Sequence, residues 1–164
     1  MAIHDPRQLV LITCRGKAVV LGKARDAQDI IATSWHSPAS QDPALYAVFV
    51  SNKLDFALNL LRHSRVFCVN FIVYELRAQA AFCARHAGEH IDKFKETELT
   101  GAECEKIDCP RIAEAVAHIE CELQEDRTIG DHVLLVGKVV ASEMKDARAK
   151  RLFQLGDAFT TTKD

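Results

Sequence analysis

The residues with the most chemical potential lie between Ile30 and Ser51, around Trp35, the only tryptophan in the chain. A β-branched lead-in, Ile30 to Thr33, runs into Ser34-Trp35-His36-Ser37, with Pro38 and Pro43 close behind. Proline fixes φ and removes an amide donor, so a regular ladder is not expected through this stretch. A strand that breaks into a polar turn around one indole can offer backbone N–H and C=O groups to a flat ligand. The same pattern also describes a tryptophan that plugs a barrel corner. Downstream, Ser51-Asn52-Lys53 sits where a helix begins. Free helix amides beside a lysine suit a phosphate, although an ordinary cap with an exposed lysine has the same residues.

Intrinsic catalytic sets are missing. The chain has no Gly-x-Ser-x-Gly elbow, His-Glu-x-x-His motif, phosphate-binding loop or dinucleotide glycine fingerprint. Cys83 with His86 or His132 lacks a third residue to orient it as a nucleophile pair. Cys83, His86 and His90 near a helix end are not read as a metal site. Cys104 and Cys109 lie five apart in a charged loop, which is not the Cys-x-x-Cys spacing of a zinc knuckle or redox dithiol. Features that cradle a ligand, without chemistry of their own, point to a cofactor-dependent protein.

The elements that position these residues follow from hydropathy patterning. Leu9–Thr13 and Ala18–Leu21 read as strands joined by a hairpin at Cys14-Arg15-Gly16-Lys17. Gly22–Asp29 reads as a polar loop, and Leu45–Val50 as a strand. Leu54, Leu58, Leu60 and Leu61 make a helical stripe from Asn52, with Ser51 or Asn52 as its cap. Val66–Phe71 is an apolar strand covered on both faces. Glu75–His86 is a second helix, with Leu76, Ala80 and Cys83 turned inward and Gly88 past its end. Acidic residues across 89–111 suggest a solvated surface. Ile119, Cys121 and Leu123 alternate with Glu120, Glu122 and Gln124, as in a half-exposed strand. Val133–Val136 and Val139–Ala141 are apolar on both faces, so helices or a second subunit must cover them. Asp146–Leu155 reads as a short basic helix.

Several of these segments resemble the flavin reductase-like family of FMN-binding split β-barrels. They are Thr33–Ser40 with Asp42–Leu45, Cys68–Phe71, Gly88–Phe94, Gly130–His132, Gly137–Val139 and Leu155–Thr160, in the family's order across almost the whole chain. The resemblance implies a mainly β fold, a Greek-key split β-barrel with peripheral helices, in one domain over residues 1–164. It implies FMN held across a homodimer interface, its isoalloxazine against the backbone of Thr33, Ser34 and Trp35, with His36 and Ser37 in the same segment. Ser51, Asn52 and Lys53 would meet the phosphate, and Gly88, Lys93 and Phe94 form a further candidate loop. His132 is placed near the flavin face and the incoming NADH or NADPH; as a bare sequence feature it is equally a turn residue. Lys93 equally fits an ion pair with Asp92 or with a surface acid. The family usually carries an Asn shortly before the Ser-Trp, where Asp29 stands nearest here.

The implied activity is hydride transfer from the nicotinamide to flavin N5. The alternatives are a flavoredoxin or ferric-reductase-like electron carrier that passes electrons to a protein acceptor, and a flavin-binding module without turnover. At 164 residues the chain can bury about two-thirds of its unfolded surface. A net charge of −2 gives no footprint for nucleic acid or anionic membrane. No apolar run approaches the roughly 20 residues of a membrane span, and six cysteines without a signal-like N-terminus suggest the reducing cytoplasm.

Overall fold

The computed structural model describes residues 2–162. Its frame is a seven-stranded antiparallel sheet. In chain order the strands are β2 (Val10–Val20), β3 (Lys23–Thr33), β4 (His36–Gln41), β5 (Ala44–Ser51), β6 (Val66–Phe71), β9 (Ala117–Ile129) and β10 (His132–Met144). Their spatial order is β3-β2-β6-β9-β10-β5-β4. Around it lie helices α1 (Asp55–Ser64), α2 (Arg77–Arg85) and α3 (Lys93–Thr97). A hairpin of β7 (Gly101–Glu103) and β8 (Pro110–Ile112) and a small sheet of β1 (Arg7–Gln8), β11 (Phe153–Leu155) and β12 (Ala158–Thr160) complete the fold. No helix among the described residues is long and apolar enough to cross a membrane.

β2 explains why sheet strands here are apolar without alternation. Val10 and Ile12 join a core with Ile31, Leu58, Leu61, Phe67, Val69 and Leu135, beneath α1. Leu9 and Leu11 belong to a second core with Ile30, Ile72, Ala80, Phe94 and Leu152, beneath α2 and α3. Side chains alternate across a strand, so a strand with a core on each face must be apolar at every position. The expectation for β6 holds for the same reason. Truncating a fully buried residue such as Leu61 to alanine costs about 2–5 kcal/mol.

Five expectations are corrected. β2 runs unbroken through Cys14–Lys17 and turns back only at Leu21 and Gly22, which have φ of 51° and 74°. Gly16 is not a turn glycine: a Cβ there would come within 2.5 Å of the Leu60 carbonyl oxygen, so it lets α1 approach the sheet. Gly22–Asp29 is mostly strand, concealed from periodicity because its outer half is exposed on both faces. A ladder does pass Pro38, because β4 is an edge strand with an irregularity between Pro38 and Ser40. Neither Ser51 nor Asn52 caps α1; its N-cap is Leu54, without a side-chain bond, and Ser51 Oγ accepts from the Lys53 amide at 3.3 Å. The basic stretch Asp146–Leu155 forms turns and β11, pinned beside Ile72–Tyr74 by the Leu152 and Tyr74 amides.

Two further expectations are refined. The polar region 89–111 is not merely solvated surface, since Lys93, Phe94, Thr97, Leu99, Ile107 and Cys109 are buried. Glu120 is buried among the alternating acids of β9, and its carboxylate accepts from the amides of Glu105 and Lys106, both at 2.7 Å.

Candidate functional site

β5 and β10 pair with Ser51 directly opposite His132. The flanking turns are tied as well: the Asn52 amide donates to the Asp131 carbonyl at 3.0 Å, and its side-chain amide reaches the Gly130 carbonyl at 3.4 Å. Gly130, at φ 61°, supplies the left-handed residue of the turn that delivers His132. On the other side of β5, the Phe49 amide donates to the Trp35 carbonyl at 2.8 Å. Thr33 Oγ1 donates to the Phe49 carbonyl at 2.9 Å and accepts from the Trp35 amide at 3.1 Å. These bonds hold the indole over the end of the β5–β10 pair.

The outcome is a stack. The rings of Trp35 and His132 lie 4.5 Å apart at an interplanar angle of 13°. Phe49 meets the indole edge-on, and the Arg7 guanidinium lies 5.7 Å from its centroid. Trp35 nevertheless remains 43% exposed, so one flank of the stack is open to a ligand. His132 Nδ1 lies 2.7 Å from Asp131 Oδ1. An Nδ1–H donated to that carboxylate leaves Nε2 as the lone-pair nitrogen. The bond to His132 also holds the Asp131 carboxyl below its usual range.

Beside the stack is a cavity of about 500 Å³, within the range of small-molecule sites. Thr33, Ser34, Trp35, Ser51, Lys53 and His132 line it, together with Gln154 and Phe159 from the C-terminal hairpin. Its floor is apolar, formed by Leu9, Ile31, Ala32, Leu54, Ala80 and Ala84. Ser34 Oγ donates to Gln154 Oε1 at 3.0 Å, joining the two segments. One end thus offers a hydroxyl and an ammonium group, the middle an aromatic plane, and the floor apolar carbon. That donor set fits a flat, phosphate-bearing cofactor such as FMN.

Thus Thr33, Ser34, Trp35, Ser51, Lys53 and His132 come together, with Asn52 one bond behind. The other candidates do not reach the cavity. His36 is turned away, its Nδ1 2.7 Å from Tyr46 Oη and its Nε2 2.9 Å from the Gln8 carbonyl. Ser37 is exposed and donates to the Pro38 carbonyl. Lys93 pairs with neither Asp92 nor a surface acid: it is buried, 2.9 Å from Asp29 Oδ1 and 2.7 Å from the Ile30 carbonyl. Gly88 closes over that same pair, since a Cβ would fall 2.3 Å from the Asp29 carboxylate. Phe94 belongs to the second core. Burial pushes the Asp29 carboxyl up, and the Lys93 ammonium opposes it.

A second cavity of about 510 Å³ lies by Gly88, His90 and Asp92. Arg25, one of its cations, already donates to the Glu89 carbonyl, and Phe56 is its only large aromatic wall. The cavity beside Trp35 is the better-built site. Gln154 and Arg7 there carry no local motif, because strand pairing far along the chain brings them in. Phe159 lies within the Leu155–Thr160 segment singled out in the sequence.

Known proteins share this fold. The model of the flavin reductase like domain matches residues 5–162. An NADH-dependent FAD reductase of Streptomyces globisporus is 29% identical, covering 86% of this chain and 76% of its own length. An FMN-binding protein from Thermus thermophilus, solved with bound 1-cyclohex-2-enone, superposes with a TM-score of 0.80 at 25% identity, covering 97% of this chain and 88% of the other. A split barrel domain protein from Shewanella frigidimarina superposes at a TM-score of 0.83 and 12% identity, covering 99% and 85% of the two chains.

Proposed function

Because this chain belongs to the flavin reductase-like family, whose domain model spans residues 5–162, we propose that it is an NAD(P)H-dependent flavin oxidoreductase that takes FMN beside Trp35. The observation that carries the reading is the open aromatic stack of Trp35 and His132 beside Lys53. When bound, the flavin supplies a two-electron acceptor at N5 for hydride from the nicotinamide.

The chain's own residues bind, orient and exclude water. Ser51 and Lys53 hold the phosphate by charge-assisted hydrogen bonds. The Thr33–Trp35 backbone and the Phe49 ring would wall off a bound ring system, and the apolar floor would keep water from it. His132 Nε2 accepts from the nicotinamide amide, its tautomer fixed by Asp131. No side chain would need to change protonation for the chemistry the flavin supplies.

The working unit in this reading is a homodimer. Leu134 faces Phe49 across the β5–β10 ladder, and Val136 faces Ala47. These pairs are only half-buried, while the opposite face of β10, Val133 and Leu135, is fully covered by the core. An apolar sheet face beside the cavity suits a second copy. The six free cysteines support a cytoplasmic setting.

The test is the visible spectrum of purified protein reconstituted with FMN, followed anaerobically with NADH and with NADPH. Bleaching of bound flavin by either nicotinamide is expected. If dithionite bleaches it and neither nicotinamide does, the protein is an electron carrier or a binding module. If no flavin binds, the reading fails.

A further inference from the structure

Away from the cavity, three thiols meet where the β7–β8 hairpin lies on the sheet. Cys68 and Cys109 are fully buried, Cys104 is partly exposed, and Ile107 and Val140 pack around them. The ladder Gly101↔Ile112, Ala102↔Arg111, Glu103↔Pro110 puts Cys104 opposite Cys109 at its next position. The Cys104 amide donates to the Cys109 carbonyl at 3.0 Å, which extends the ladder by that step. Directly opposed antiparallel residues have Cα atoms about 4.5–5.5 Å apart, inside the roughly 4.4–6.8 Å that a disulfide spans. The five-residue separation hid this pairing in the sequence, and the hairpin register restores it.

The loop between the two cysteines is held in place. Glu120, beside Cys68 in the β6–β9 register, binds the amides of Glu105 and Lys106. Cys109 Sγ is anchored at 3.2 Å from the Thr13 carbonyl. The chemistry within the cluster is asymmetric. The neighbouring Cys109 and Cys68 thiols hold the Cys104 thiol below its ordinary range, whereas burial pushes the Cys109 thiol up. Cys104 is also the one a solvent-borne oxidant can reach. Among the described residues, no group of three or more His, Cys, Asp or Glu side chains is disposed to hold a metal ion.

We propose that Cys104 and Cys109 form a peroxide-oxidisable dithiol, in which Cys104 is the attacking sulfur and Cys109 resolves it. The Cys104 thiolate attacks one oxygen of hydrogen peroxide; an S–O bond forms, the O–O bond breaks, and hydroxide leaves. Cys109 Sγ then attacks the sulfenic sulfur; the S–S bond forms and the S–O bond breaks. The departing hydroxide takes the Cys109 proton as water. Together the two sulfurs lose two electrons, peroxide gains them, and one solvent proton completes the second water. The flavin cavity takes no part, so the proposal stands or falls independently of the reading above.

The test treats reduced full-length protein with one equivalent of hydrogen peroxide. Thiols are then counted in denaturant and tryptic peptides mapped without reduction. Cleavage after Lys106 separates the two sulfurs, so a disulfide appears as peptide 96–106 linked to peptide 107–111. The expected result is that linked species and the loss of two of the six titratable thiols. In Cys109→Ser, Cys104 should instead be trapped by dimedone as its sulfenic acid adduct; Cys104→Ser should lose no thiols. Unchanged thiols in the wild type, a Cys104–Cys68 link, or Cys104 sulfinic acid without a link would each overturn the proposal. The wild-type map needs no variant, so a misfolded mutant cannot obscure it.

Discussion

The imidazole of His132 lies nearly parallel to the indole of Trp35, ring centroids 4.5 Å apart, although 97 residues separate the two along the chain. Their meeting is set by backbone pairing on both sides of β5: Ser51 with His132, and Phe49 with Trp35. An aromatic pair of this kind contributes about 0.5–1.5 kcal/mol beyond its buried area. That is firm enough to organise the site and weak enough for an incoming ring to rearrange.

From this stack follows a separation of binding from reduction. His132→Ala should leave FMN affinity nearly unchanged while slowing anaerobic reduction of bound FMN by NADH or NADPH. Loss of one positioning contact worth about 1.4–2.8 kcal/mol lowers the rate roughly ten- to a hundredfold. Reduction by dithionite, which needs no nicotinamide, is the control and should hardly change. A variant that reduces at the wild-type rate makes His132 a turn residue.

Lys53 carries the phosphate assignment. Lys53→Ala should weaken FMN far more than riboflavin, which has no phosphate. A lost charge-assisted contact costs roughly 1.5–3 kcal/mol, or about ten- to a hundredfold in affinity. Titration of Trp35 fluorescence, the only indole in the chain, reads both ligands. Equal weakening of the two would move the phosphate elsewhere.

The sequence was most informative where one residue type had one physical use. The stripe Leu54, Leu58, Leu60, Leu61 was legible as α1 because a helix has a single buried face. β3 was not, because its outer half, Lys23–Asp26, is exposed on both sides and has no period to read. In the site, Trp35, Lys53 and His132 were found by chemistry and resemblance. Gln154 was missed because only long-range strand pairing brings it to Ser34. Lys93 misled for the opposite reason: a lysine in a polar loop gives no local sign that its partner, Asp29, lies buried beneath it.

That buried pair makes a different prediction from Lys53. Lys93→Met should leave Asp29 without its counter-ion and destabilise the protein by about 3–5 kcal/mol, read by urea unfolding. Adding Asp29→Asn should recover most of the loss, because an amide has far less to lose by burial. FMN affinity of the folded Lys93→Met protein should stay near wild type. A drop as large as that of Lys53→Ala would place Lys93 in the binding site and overturn its structural role.

The half-buried face of β5 and β10 tests the oligomer. Its central pairs, Leu134 with Phe49 and Val136 with Ala47, are flanked on the β9 side by Arg127 and Glu125, which lie opposite Leu134 and Val136. An apolar strip with charged neighbours is what one half of a two-fold interface looks like, and a stable one buries roughly 800 Å² per partner. Val136→Arg introduces a charge that would face its own copy across that axis. The wild type should scatter light as a dimer and the variant as a monomer. Because Val136 is only partly buried, the fold should survive with an unfolding midpoint close to wild type. FMN affinity should fall with the dimer if the partner completes the site. A wild-type protein that stays monomeric on scattering while holding FMN would remove both the interface and the shared site.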